Sequence, residues 1–151
     1  MNTLTQRRRP ASLRCGIARR GTTVRAQLRS VATLIVVSGT VRTDKTAALQ
    51  TQLRRFVLLD SPLILDFSCV IGVTGDVLQR LLAPIEIDCS VGNVALFVVI
   101  RHDMREHVRL HEATEIVGSA SEALSRVVER IRERRNPEFL AAYIPELMRE
   151  A

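Results

Sequence analysis

Tryptophan is missing from this 151-residue chain, and the other aromatics are scarce: one Tyr and four Phe. A core must therefore be assembled from Leu, Val, Ile and Ala, and the stacking surfaces on which unpaired bases bind have few candidates. Long apolar runs are lacking too. The longest, "LIVV" and "VALFVVI", are strand-sized, far from the roughly 18 to 20 residues that span a bilayer. The three cysteines (Cys15, Cys69 and Cys89) are odd in number and lack CxxC spacing, so no disulfide framework or zinc knuckle is legible. A reducing, cytoplasmic setting is the simplest expectation.

Acidic residues are absent from the first 30 positions, which hold eight Arg; the remaining 121 residues carry 14 basic and 16 acidic side chains. The net charge of +6 thus belongs to the arm, and the rest gives little grip on phosphate backbones. Residues 1–21 read as a disordered basic arm, the one place where nucleic acid contact is expected if there is any. Residues 22–135 read as one domain, and 136–151, beyond Asn136-Pro137, as a helical extension that covers the sheet or mediates self-association.

Within the domain, apolar runs alternate with amphipathic stretches. "TTVRAQL" alternates weakly from Thr22; "VATLIVVSG" and "PLILDFS" are β-branched or apolar runs of strand length; "GNVALFVVI" follows a turn at Gly92-Asn93; "EIVGS" is a brief edge strand. Between them, "DKTAALQTQLRRFVLL" puts Ala48, Leu49, Leu53, Phe56 and Val57 on one helical face, with Thr43 or Asp44 as cap. "GDVLQRLLAPI" puts Val77, Leu78, Leu81, Leu82 and Ile85 on another, with Pro84 hastening its end. "RHDMREHVRLHEAT" reads as a short helix capped near Asp103. "SASEALSRVVERIRERR" is the clearest helix, capped by Ser119 or Ser121, with Ala120, Leu124, Val127, Val128 and Ile131 in register. Strands too apolar for a wet face, joined through helices, imply an α/β fold with a mostly parallel sheet of four or five strands and flanking helices.

Catalytic chemistry finds little support. "GVTGD" at 72–76 has two glycines but no Lys, and ends in an acid that would repel phosphate. His107 and His111 are four apart without a fixed third metal ligand. Cys69 has no placed base and reads as a buried structural thiol. Asp66 ends a strand, yet a lone carboxylate assigns no reaction. The expectation is a protein that is not an enzyme and uses no cofactor or metal.

Three stretches suggest a different role. "VVSGTVR" at 36–42, "LILDFSCV" at 63–70 and "VTGDVLQRLL" at 73–82 resemble the motifs of the STAS domain, found in bacterial anti-sigma factor antagonists and sulphate-transporter tails. "ALFVVI" resembles that family's central strand and "EIVGSASEALSRV" its closing signature. The resemblance covers about 110 residues, from Thr22 to Arg134. It implies a regulatory module that binds a protein partner, an anti-sigma factor kinase, which phosphorylates a serine at a helix start and thereby breaks the complex. An ungapped match lays that Asp-Ser-Ser-Gly motif on Thr74, Gly75, Asp76 and Val77, so a fixed carboxylate, Asp76, replaces the phosphoserine. Asp76 then reads as a helix cap and as a constant mimic of the modified state or a lost switch, with Thr74 a displaced acceptor. Arg42, Thr43 and Asp44 fill the other loop at the implied partner surface, and an Arg42–Asp76 pair is open. Two other readings stay open: a small-ligand sensor on the same sheet edge, and a nucleic-acid-associated protein acting through the arm.

Overall fold

The computed structural model describes residues 21–28, 31–58 and 61–135. The basic arm, apart from Gly21, and the C-terminal extension lie outside them. The elements are β1 (Thr22–Leu28), β2 (Thr33–Thr40), a 3-10 turn (Thr43–Lys45), α1 (Thr46–Arg54), β3 (Leu63–Ile71), α2 (Gly75–Val91), β4 (Leu96–Val99), a 3-10 turn (His102–His107), β5 (Thr114–Val117) and α3 (Ala120–Arg135). The strands form one sheet in sequence order. β1 pairs antiparallel with β2; every later pairing is parallel. The α/β expectation and its mostly parallel sheet are thus met.

Alternation along the apolar strands divides the core between the two faces. Ile35, Val37, Leu65, Phe67 and Val98 pack with Leu49 and Leu53 of α1 and with Leu78, Leu81, Leu82 and Ile85 of α2. Leu34, Val36, Ile64, Phe97 and Val99 pack with Ala123 and Val127 of α3. Each such side chain contributes about 1.5–3 kcal/mol when removed from water. The stripe read from α3 omitted Ala123, which is completely buried. Ser119 is the cap, its Oγ accepting the Glu122 N–H at 3.0 Å while Glu122 Oε2 accepts the Gly118 N–H at 2.7 Å.

Three expectations about the helices fail. Neither Thr43 nor Asp44 caps α1: Asp44 Oδ1 instead accepts from Arg42 Nε at 3.1 Å, and the segment winds as a 3-10 turn before the α-helix begins at Thr46. α1 then stops at Arg54, leaving Phe56 and Val57 to pack against the core from beyond it, while Ala48 is exposed. Nor does Pro84 end α2, which continues to Val91. Proline has no N–H to give the carbonyl four residues back, and that carbonyl belongs to Arg80. Gln50 of α1 supplies the missing donor: its Nε2 lies 3.0 Å from the Arg80 oxygen and 3.4 Å from that of Leu81. The turn 102–107 is likewise 3-10 rather than α-helical.

The β2–β3 ladder shifts register between Val36–Asp66 and Ser38–Cys69, inserting one extra residue in β3. Asp66, 7% exposed, secures this bulge. Its Oδ1 accepts from both the N–H and the hydroxyl of Ser68, at 2.9 and 2.6 Å.

Gln50→Ala is expected to lower stability by about 1 kcal/mol, because it leaves the Arg80 carbonyl without its donor. Gln52→Ala, on the exposed side of α1, should change stability by less than about 0.5 kcal/mol. Urea unfolding of both variants measures the difference.

Candidate functional site

Parallel pairing brings the C-terminal ends of β2, β3 and β4 to one edge of the sheet. Thr40 pairs with Ile71, and Asp66 with Val99, so the segments that follow these strands emerge side by side. They are 41–45, 72–76 and 100–107. The first two hold the residues singled out in the sequence; the third was not.

The central segment turns on Gly72, whose φ of 71° is one that residues with a side chain rarely adopt. Thr74 follows in extended conformation and caps α2, its Oγ1 accepting the Val77 N–H at 3.3 Å. The cap is therefore Thr74, not Asp76. Asp76 stands in the first turn, exposed, where the partial positive charge of the helix start favours a carboxylate. Among the described residues it has no ion pair. Arg42 does not reach it, being held by Asp44.

Gly75 is buried against the third segment. A Cβ built on it would lie 2.5 Å from both Cβ and the carbonyl oxygen of His107, so the turn 102–107 rests on the first turn of α2. The two outer segments share a local design. "VRTD" at 41–44 and "IRHD" at 100–103 each have a buried aliphatic residue, then an exposed Arg folded onto the Asp two residues on. Arg101 engages Asp103 with both Nε and Nη2, at 3.2 and 3.0 Å. These exposed pairs contribute little to stability. The repeated R-x-D was the available sequence signal for the third segment.

The other candidates are accounted for structurally. Asp66 serves the bulge. His107 closes the 3-10 turn while His111 lies beyond it, its Nδ1 accepting the Ala113 N–H at 3.1 Å, so the two do not share a helical face. Cys69, 8% exposed, is disulfide-bonded, which replaces the buried thiol expected there and weakens the cysteine argument for a reducing compartment. Cys89 is a free, buried thiol on α2. Burial pushes its pKa up to about 11, with Asp88 and Glu86 adding to the rise.

Compared with known proteins, the chain matches no protein-family model, and no curated sequence matches it significantly. No helix among the described residues is long and apolar enough to cross a membrane.

Two expectations follow. Gly75→Ala should destabilise the fold by about 1–3 kcal/mol, the scale of overpacking, and hydrogen exchange should show the loss at residues 102–107. Cys89 should resist iodoacetamide at pH 8 in the native protein and react on unfolding. Its thiol ionises at about 9.0 when unfolded and about 11 when folded, so its contribution to stability is present below the first value and lost as pH rises between the two. Cys89→Ala should flatten that decline in thermal melts.

Proposed function

We propose that this protein is a non-catalytic regulatory module of STAS type, which binds a protein partner through the sheet edge built by 41–45 and 72–76. The partner of this reading is an anti-sigma factor kinase, whose capture releases a sigma factor. One observation carries it: Asp76 is exposed and, among the described residues, without an ion pair in the first turn of α2, directly after β3. That is where the resemblance puts a modifiable serine. Arg42, Thr43 and Asp44 emerge beside it, from the neighbouring strand.

Several features support the reading. The chain order of strands and helices follows the motifs of the resemblance. A carboxylate at residue 76 cannot be esterified as a serine is, so this module would present one fixed charge to its partner rather than two interchangeable states. Thr74 offers a hydroxyl two residues away, on an exposed backbone turn.

The test uses the full chain and its Asp76→Lys variant as baits in extracts of the source cells, followed by calorimetry with the recovered kinase. Asp76→Lys is expected to weaken binding by more than about 1 kcal/mol, the scale of an interface hot spot, with the far-ultraviolet spectrum unchanged. Equal affinities would remove this edge from the interface. Phosphate on Thr74 after incubation with that kinase would restore a regulated switch.

A further inference from the structure

The two loops of the proposed binding edge are small for their task. Segments 41–45 and 72–76 hold five residues each, whereas a specific protein–protein interface takes about 20–30 residues from each side. A partner seated there has to rest on more of the molecule. Strand order puts 72–76 in the middle, with 41–45 on the β2 side and 100–107 on the β4 side. The β4 flank is in direct contact with the centre. A Cβ on Gly75 would stand 2.5 Å from both Cβ and the carbonyl oxygen of His107, so the two backbones touch, with no room for water between them. Asp76 follows Gly75 at that contact, and the loop that leads into His107 exposes Arg101, His102, Asp103 and Glu106. Centre and third loop are one continuous surface.

We infer that loop 100–107 belongs to the same recognition surface, and that the kinase is matched to all three loops by a cation facing Asp76 with carboxylates or carbonyls to either side of it. This rests on the STAS-type reading and extends it to a loop that the resemblance does not mark. The flanks carry the chemistry. Arg42 donates to Asp44 through Nε, which leaves both its Nη groups as donors; Arg101 donates to Asp103 through Nε and Nη2, which leaves Nη1. The two arginine side chains are 67% and 47% exposed. Each flank therefore offers directed N–H groups to solvent, from the residue type that interfaces favour for its fork of donors. Between them stands Asp76, which has no ion pair among the described residues. A wholly basic partner surface would set its charge against both arginines, and a wholly acidic one would meet Asp76. A cation with an acceptor-rich rim satisfies the centre and both flanks together, and the mismatch with the other two supplies specificity.

Calorimetry of the full chain with the purified kinase compares Arg101→Glu with Arg134→Glu, the same change of charge at an exposed site in the last turn of α3. Arg101→Glu is expected to weaken binding about tenfold and Arg134→Glu less than about twofold. Hydrogen exchange of the unaltered chain, free and in the complex, gives a second readout that does not depend on how a variant folds. Amides of 102–107 should slow on binding together with those of 72–76. An Arg101→Glu variant that binds as tightly as the unaltered chain, while Asp76→Lys binds weakly, would overturn the inference and leave the reading of the central loop standing. Protection confined to 41–45 and 72–76 would do the same, as would equal weakening in Arg101→Glu and Arg134→Glu, the mark of a diffuse effect of net charge. Undiminished binding by Asp76→Lys would bring down the reading and the inference together.

Discussion

Coverage of β3 on both faces governs the rest of the molecule. Leu63, Leu65 and Phe67 look toward α1 and α2, and Ile64 toward α3, so the strand has no wet side and its neighbours must supply every backbone partner. A strand so enclosed can present polar chemistry only where it ends. Its one buried acid, Asp66, is spent internally on the bulge. Everything available to a partner is consequently displaced to the loops at the C-terminal edge, where the parallel ladder sets β2, β3 and β4 side by side.

The loops at this edge are shaped by contacts of their own. The loop after β3 is held by a left-handed glycine, by a threonine cap and by the turn 102–107 pressing on Gly75. The flanking loops are held by their Arg–Asp pairs. Under the proposed function, such a surface would meet its partner by fit, with little change of backbone. Arg42 and Arg101 are paired within their loops, while Asp76 has no ion pair among the described residues.

Much of the fold was legible because the strands are continuous β-branched runs and the helical stripes recur at 3.6 residues, signals that depend only on nearby residues. What was not legible depended on distant ones. Pro84 fails to stop α2 because Gln50, more than thirty residues earlier, satisfies the freed carbonyl. Asp44 fails to cap α1 because the chain first winds as a 3-10 turn over Thr43–Lys45 and the helix starts only at Thr46. The burial of Gly75 is decided by His107, and nothing in "GVTGD" itself reveals it. Within the site, the positions of Asp76 and of the Arg42–Asp44 loop followed from the strand–helix order, whereas the third loop required the sheet pairing to bring it alongside.

Under the proposed function the carboxylate of Asp76 would act on two equilibria, folding and binding, and they can be separated. At a helix start it favours folding by about 0.3–1 kcal/mol through the macrodipole, with salt reducing the effect. A phosphoserine there would do the same with greater charge, so a fixed acid keeps the stabilisation while forgoing the ability to switch. Partner recognition is a different matter, since it depends on what faces the charge rather than on the helix beneath it. Asn at position 76 would keep the shape and remove the charge, so any loss of binding beyond the change in folding stability belongs to the interface. That division makes the proposed recognition role of this charge measurable apart from its effect on the helix.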